Sequence, residues 1–267
     1  MDQANILRRT FERIRPHMSP ALIIIGAQKA GTSALFSMLS QHPKAAPPAV
    51  KELDFFSDDA VYGKGMAHYR SLFPVVPAKS FGHFTFEASP TYLVHAERCA
   101  PRIAQVLPDV TCVAILRDPV ARAYSDWNMF RQFKGHPKYD RLFDPRSFEE
   151  AIRTELKTTS LYAPYLSKGY YAQQLERYFA VFPKEQLLIF PYPSFKKHPA
   201  AIVSKICTTA RLPTVDWKDN LGKVKANVRP YLNPLPESLR EELAAHFNPH
   251  QEALWELLGE RLELNEE

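Results

Sequence analysis

The chain has 267 residues, of which 45% are hydrophobic and 24% are charged, and its formal net charge is +5. No run approaches the roughly 18 apolar residues of a membrane span, and the N-terminus lacks the apolar core of a secretory signal, so we expect a cytoplasmic protein without a transmembrane segment. The positive charge suits an anionic ligand, but the absence of a basic run with interleaved aromatic residues disfavours nucleic acid as the partner. The three cysteines and nine histidines have neither disulfide nor metal-ligand spacing, so we predict no metal site.

Residues 1–20 form an N-terminal basic extension, in which four arginines surround apolar residues in an amphipathic pattern. We expect a solvated helix packed on the domain edge, and contact with an acidic membrane surface or a carrier protein is the alternative.

The next segment combines the patterns of a strand, a turn and a helix. The apolar run Leu22–Ile25 leads into the turn Gly26–Gly31, which contains Lys29, and a helical pattern runs from Thr32 to about His42. A strand, a glycine turn and a helix N-terminus together present backbone N–H groups to a phosphate.

The chain then passes through a loop into a second strand. A proline-bearing loop over 45–50 precedes Lys51–Phe56, which places an acid and a base ahead of two phenylalanines. Residues 57–80 indicate short helices and loops, Phe81–Glu87 predicts the second strand, and Ala88–Tyr92 predicts a turn.

The second half of the chain continues the alternation of helices and strands as a single domain, 1–267. The patterns predict a helix from about His95 to Leu107, a strand at Val110–Leu116 and a helix that begins at Pro119. The later elements are a capping box at Ser147–Glu150, an amphipathic helix from Tyr171, a strand at Gln186–Phe190, helices at about 199–210, 236–247 and 249–258, and a basic irregular loop at 218–230.

Strands that alternate with helices predict an α/β fold, with a central parallel sheet covered by helices on both faces. Ligands of such sheets bind beyond the carboxyl ends of the strands. Since Lys29, Glu87 and Arg117 each follow a strand directly, we expect these three side chains to lie near one another.

The glycine turn differs from the phosphate loop of an ATPase. A Walker A loop places its lysine after the second glycine, whereas Lys29 precedes Gly31 here. No obvious second-strand aspartate is available to hold Mg²⁺. The turn can still bind a phosphate. A P-loop kinase or NTPase with an atypical loop is one alternative function, and a tight turn with a purely structural role is another interpretation.

A second candidate anion site follows the strand Val110–Leu116. Arg117 ends this strand and Ser125 lies on the next helix, so a planar guanidinium and a hydroxyl can both bind phosphate oxygens. Two anion sites at one sheet edge indicate a ligand with two separated phosphate groups. Taken alone, the segment could also hold a surface Arg–Asp pair and a helix-interior serine.

Four motifs in this order resemble the sulfotransferases that use 3′-phosphoadenosine 5′-phosphosulfate (PAPS), most of all the heparan-sulfate-type branch and its bacterial relatives. The motifs are Gly26–Ser33, Lys51–Phe56, Glu87–Tyr92 and Arg117–Trp127, and Gly169–Leu175, Phe182–Leu188 and Phe247–Gly259 also fit. The resemblance covers nearly the whole chain and implies a P-loop-like strand–turn–helix that binds the phosphosulfate.

The resemblance implies a role for each matching residue. Lys29 would contact the phosphosulfate and offset charge on the departing 3′-phosphoadenosine 5′-phosphate (PAP), and Glu52 would be the general base. The remaining cofactor contacts would be Ala30, Gly31, Thr32 and Ser33 at the 5′-phosphate, Arg117 and Ser125 at the 3′-phosphate, and Lys223, Lys225 and Asn227 in a loop that closes over the nucleotide.

The implied reaction is transfer of the sulfuryl group to an acceptor hydroxyl, without a metal ion. The acceptor could be a carbohydrate, a lipid, a secondary metabolite or a carrier-bound chain, and no oligomeric state follows from the sequence. Candidate acceptor contacts are Lys51, Glu87, Tyr92 and Tyr170, for which a solvated lysine, a structural glutamate and core tyrosines are the plainer interpretations. The absence of cysteines after Cys207 favours a bacterial-type member over the disulfide-bearing animal enzymes. A binding protein without turnover is a further alternative, against which intact Lys29 and Glu52 count.

Overall fold

The computed structural model describes residues 16–75, 82–158, 164–217, 230–231 and 234–265. Most of the predicted N-terminal extension lies outside these residues. So do Lys223, Lys225 and Asn227, the predicted cofactor contacts of the basic loop.

The described residues contain one sheet of four parallel strands, β1 (Pro20–Gly26), β2 (Thr85–Ala88), β3 (Thr111–Leu116) and β4 (Leu187–Pro191), in the order β2-β1-β3-β4. Residues 22–25 of β1 and all of β3 are buried. Because successive side chains of a strand point to opposite faces, the two central strands are covered on both faces. The predicted α/β fold with a covered parallel sheet is therefore confirmed.

The α-helices follow the predicted alternation with the strands. They are α1 (Thr32–Ser40), α2 (Asp59–Tyr62), α3 (Gly65–Ser71), α4 (Thr91–Val94), α5 (Ala96–Val106), α6 (Pro119–Arg131), α7 (Phe148–Lys157), α8 (Tyr171–Phe179), α9 (Tyr192–Lys197), α10 (Pro199–Thr209) and α11 (Glu237–Leu258). Short 3₁₀ turns cover Asp140–Leu142, Ser167–Gly169 and Lys184–Gln186. None of these helices combines the length and apolar character that a membrane crossing requires.

Two helix starts have the local chemistry that the sequence predicts. Pro119 occupies the first turn of α6, and the Asp118 carboxylate accepts the backbone N–H of Ala121 at 2.7 Å. At α7, Ser147 and Glu150 form the predicted capping box.

The predicted division into two helices, 236–247 and 249–258, is wrong, since α11 continues through Pro249 as one helix. An interior proline removes one backbone hydrogen bond, but packing can offset that loss. The side chains of Leu239, Leu243, Phe247 and Leu254 are buried on both sides of the proline. Their continuous apolar face holds the two predicted helices in one element.

The second strand is shorter than predicted and begins at Thr85 rather than Phe81. Before it, Phe84 makes only an isolated bridge with Ala45. The shorter strand ends at Ala88, so Glu87 lies within β2 and not beyond its carboxyl end.

The Glu87 side chain is fully buried in the core. Its Oε2 accepts the Tyr69 hydroxyl at 2.5 Å, while its Oε1 accepts the hydroxyls of Ser89, at 3.0 Å, and Tyr92. The expectation that Glu87 lies beside Lys29 and Arg117 is therefore wrong. Burial raises the pKa of Glu87 to about 7, although the three hydroxyl donors oppose this rise.

Burial of Glu87 predicts a stability change with pH. Its folded-state pKa of about 7 exceeds the ordinary value of 4.5, so the folded protein binds this proton more tightly than the unfolded chain. The stability that this group contributes is therefore present below about pH 4.5 and is lost as the pH rises to about 7. Urea unfolding at pH 5 and pH 7 should show a smaller loss of stability in Glu87→Gln than in the wild type. Glu97→Gln changes an exposed carboxylate and should follow the wild type. Equal losses in wild type and Glu87→Gln would contradict the assignment.

Candidate active site

A cavity of about 360 Å³ opens at the carboxyl ends of β1, β2 and β3. This is the edge at which parallel α/β sheets bind their ligands. Predicted site residues from four separate segments line it together: Lys29, Gly31, Thr32, Ser33, Glu52, Arg117 and Ser125.

The turn between β1 and α1 presents backbone donors to this cavity. Gly31 is the N-cap of α1 with φ +87°, and a Cβ there would lie 3.0 Å from a ring carbon of Tyr192. Glycine therefore meets both the backbone angle and the close approach. Gly31, Thr32 and Ser33 line the cavity, no side chain caps α1 and no acidic residue lies in its first turn, so this helix N-terminus is suited to bind an anion.

Lys29 lies in the same turn, in the left-handed region with φ 69°. Its Nζ donates to the Sδ of Met129 on α6 at 3.4 Å. Because thioether sulfur is a weak acceptor, a phosphate oxygen can replace it at little cost. The contact with Met129 is therefore one that a ligand can displace.

Arg117 connects this turn to the end of β3. Its Nη1 donates to the backbone oxygen of Lys29 at 3.1 Å, and its Nη2 donates to the Tyr231 hydroxyl at 3.4 Å. The guanidinium also lies 5.0 Å from the ring centre of Tyr192. These contacts orient the guanidinium at the cavity wall.

A buried charge cluster lies beside Ser125. The Oδ2 of Asp126 accepts from Lys168 Nζ at 2.8 Å and from Arg122 Nη1 at 3.2 Å. Burial by itself raises the pKa of Asp126, but the two cations outweigh it and hold this pKa below its ordinary value. Asp126 is the member of this cluster that lines the cavity, and the two cations compensate its charge, so its carboxylate does not repel an anion bound there.

Glu52 reaches the cavity from the loop before α2. Its backbone has φ 62°, its N–H donates to the Ala88 oxygen at 3.0 Å, and its side chain is 53% exposed. Lys51 Nζ contacts Glu52 Oε1. Lys51 thus lies next to the predicted base without lining the cavity.

The other predicted residues lie away from the cavity wall. Ala30 is fully buried behind the turn, and Glu87 and Tyr92 are buried in the core. The Tyr170 hydroxyl forms a hydrogen bond with His246 Nε2 at 2.9 Å. The Tyr170 ring stacks on the His250 ring, with 4.0 Å between the ring centroids, in a separate aromatic cluster. These contacts agree with the plainer structural interpretations of Glu87 and Tyr92, whereas Tyr170 is only partly buried and its role stays a prediction.

The sequence did not identify several residues that line the cavity. One of them, Asp126, forms ion pairs with Arg122 and Lys168. The spacing of four residues between Arg122 and Asp126 on a helix could have indicated the first pair, but no sequence pattern indicates the second. The cavity-lining residues that were missed are Gln28, Pro90, Asp126, Asn128, Met129, Tyr192 and Tyr231. Among the residues that the structure describes, no group of three or more His, Cys, Asp or Glu side chains could hold a metal ion.

Comparison with known proteins gives consistent matches. Residues 19–221 match the sulfotransferase domain family. The chain is 33% identical over 198 residues to the bifunctional heparan sulfate N-deacetylase/N-sulfotransferase 4 of Mus musculus. The aligned region covers 70% of this chain and 22% of the relative. It is 34% identical over 185 residues to the heparan sulfate glucosamine 3-O-sulfotransferase 5 of Homo sapiens, covering 66% of this chain and 49% of the relative.

A solved structure agrees with these matches. The crystal structure of a sulfotransferase from Alicyclobacillus acidocaldarius has a TM-score of 0.70 and 28% identity, over 91% of this chain and 97% of that one. The chain spans about a fifth of the first curated relative and about half of the second. These matches do not favour the P-loop kinase or NTPase alternative. The family match extends over most of the chain, so the protein belongs to the sulfotransferase domain family.

Proposed function

We propose that the protein transfers the sulfuryl group of PAPS to an acceptor hydroxyl by in-line displacement. The observation that carries this proposal is one cavity that joins two cationic anion-binding groups, Lys29 and Arg117, with the carboxylate of Glu52. A nucleotide with a 5′-phosphosulfate and a 3′-phosphate has the two separated anionic groups that this arrangement can bind.

In the proposed complex, the turn before α1 binds the 5′-phosphate. The backbone N–H groups of Gly31, Thr32 and Ser33 and the hydroxyls of the last two are the donors, whereas the N–H of buried Ala30 donates to the Ala27 oxygen at 3.2 Å. Lys29 moves from Met129 to the oxygen that bridges phosphorus and sulfur.

The 3′-phosphate binds at Arg117 and Ser125. The guanidinium supplies a planar set of donors, and the hydroxyl adds another. Arg122 and Lys168 compensate the charge of Asp126, the carboxylate that lines the cavity next to Ser125, so it does not oppose the bound anion. The roles of Lys223, Lys225 and Asn227 stay predictions.

The chemical step uses Glu52 and Lys29. Glu52 takes the proton of the acceptor hydroxyl, the acceptor oxygen forms a bond to sulfur, and the bond from sulfur to the bridging oxygen breaks. Lys29 stabilises the negative charge that develops on that oxygen as PAP leaves. Most of the catalysis is positioning and electrostatics, and independence from metal ions stays a prediction.

For the acceptor, the proposal names only a chemical class. Both relatives are named as heparan sulfate enzymes: one is an N-deacetylase/N-sulfotransferase and the other is a glucosamine 3-O-sulfotransferase. An unsulfated heparan backbone is therefore the first acceptor to test, ahead of lipids, secondary metabolites and carrier-bound chains. Cytoplasmic location and a bacterial-type origin stay predictions from the sequence.

The first test compares nucleotide affinities by isothermal titration. PAP should bind at least about tenfold more tightly than AMP, because only PAP has the 3′-phosphate that a charged hydrogen bond from Arg117 can stabilise. Arg117→Ala should lose most of this difference, whereas Arg240→Ala, which removes an exposed arginine of α11, should keep it. Equal affinities of the wild type for PAP and AMP would refute the 3′-phosphate site.

The second test concerns the general base. Glu52→Gln should lower the rate of PAP release from PAPS by about 10²–10⁴-fold, since the amide cannot accept the acceptor proton. Its affinity for PAP should stay within about twofold of the wild type, because Glu52 does not bind the nucleotide phosphates in the proposed complex. Rates are compared with and without the heparan backbone, and Glu97→Gln is the control. A fully active Glu52→Gln would refute the base assignment.

A further inference from the structure

The loop that carries Glu52 has an unfavourable backbone conformation. Glu52 has φ 62° and Asp54 has φ 50°, a region that residues with side chains adopt at a cost of roughly 1 kcal/mol or more each. Such angles persist only where neighbouring groups hold the backbone. The contacts that hold this loop therefore decide where the Glu52 carboxylate lies.

The segment after β2 supplies these contacts. The Glu52 N–H donates to the backbone oxygen of Ala88 at 3.0 Å, and the Asp54 N–H donates to the Ser89 Oγ at 3.1 Å. Thr91 Oγ1 donates to Asp54 Oδ1 at 2.5 Å. Both residues with positive φ are thus tied to one segment.

A third backbone contact lies one turn further along. The Phe56 N–H donates to the Tyr92 hydroxyl at 3.4 Å, in a fully buried position. Ser89 and Tyr92 are therefore the two hydroxyls that accept N–H groups from the loop.

The Glu87 carboxylate orients both of these hydroxyls. Its Oε1 accepts the O–H of Ser89 at 3.0 Å and the O–H of Tyr92, while Tyr69 donates to the other oxygen. A hydroxyl whose hydrogen points to a carboxylate must turn its lone pairs elsewhere. In Ser89 and Tyr92 those lone pairs accept the N–H groups of Asp54 and Phe56.

We infer that Glu87 and Ser89 are positioning residues for Glu52. The buried carboxylate fixes the Ser89 hydroxyl, this hydroxyl fixes the Asp54 N–H, and the loop thereby presents the Glu52 carboxylate to the cavity. The inference rests on the proposed function, since it assigns Glu87 and Ser89 an effect on turnover through the base. It also assigns a role to Glu87, which does not line the cavity.

Two hydroxyl deletions at the same carboxylate separate positioning from simple stability. Ser89→Ala and Tyr69→Phe each remove one hydroxyl donor from Glu87, but only Ser89 also accepts a loop N–H. The measurements are hydrogen exchange of the peptide that spans 51–56, PAP affinity by titration, and PAP release from PAPS with water as the acceptor. Water avoids the need for an identified acceptor, because Glu52 would take its proton in the same way.

In Ser89→Ala the peptide 51–56, which contains the Asp54 amide, should exchange faster than in the wild type, and PAP release should be about tenfold slower, with PAP affinity within about twofold. Tyr69→Phe should change exchange and PAP release less than Ser89→Ala does, because Tyr69 accepts no N–H group from the loop. Tyr92→Phe keeps its ring and removes the other bridging hydroxyl, so it should change exchange and PAP release in the same direction as Ser89→Ala. This second variant serves as the test if Ser89→Ala does not fold.

Equal exchange and equal PAP release in Ser89→Ala and Tyr69→Phe would overturn the inference. Wild-type PAP release by Glu52→Gln would instead refute the proposed base, whatever the exchange rates are. A slow Glu52→Gln combined with a wild-type Ser89→Ala would refute the positioning role alone.

Discussion

The hydrogen bond from the Arg117 guanidinium to the backbone oxygen of Lys29, at 3.1 Å, joins the two cationic groups of the cavity. One group follows β1 and the other follows β3, and these strands pair in parallel at the centre of the sheet. The rigid pairing fixes the separation of the two anion-binding groups, and the hydrogen bond holds the turn of Lys29 in its left-handed conformation. The whole account of nucleotide binding depends on this connection.

Charge beneath the cavity supports the same conclusion. Arg122 and Lys168 both contact the buried carboxylate of Asp126, which lines the cavity beside Ser125, and they compensate its negative charge. A buried cluster of this kind is weak as a stabiliser because desolvation offsets much of its attraction. Its placement beside the predicted phosphate contact therefore fits compensation of a carboxylate at the cavity wall better than a role in stability.

The sequence predicted the parts of the site that local chemistry determines. Gly31, Lys29 and the start of α1 follow from one short segment, and Pro119 and Ser147 begin their helices through local capping. The sequence could not show that the Glu87 side chain lies in the core rather than at the sheet edge. That depends on where β2 begins and ends, and pairing with β1 sets these boundaries.

Long-range contacts account for the other differences. Lys168 is 42 residues from Asp126, and Tyr231 is 114 residues from Arg117, so no local pattern could join them. The helix through Pro249 likewise depends on tertiary packing of Phe247 and Leu254, which outweighs the local preference of proline. The αL conformation of Glu52 has no sequence signal, since glycine is the residue that would have indicated it.

The most direct measurement of the central claim is a single-turnover reaction with sulfur-35-labelled PAPS, the unsulfated heparan backbone and other hydroxyl acceptors, in the presence of EDTA. The account predicts that label moves to an acceptor or, without one, to inorganic sulfate, that PAP forms in equal amount, and that EDTA leaves the rate unchanged. Label that stays on PAPS, together with Mg²⁺-dependent transfer of the γ-phosphate of ATP, would contradict it.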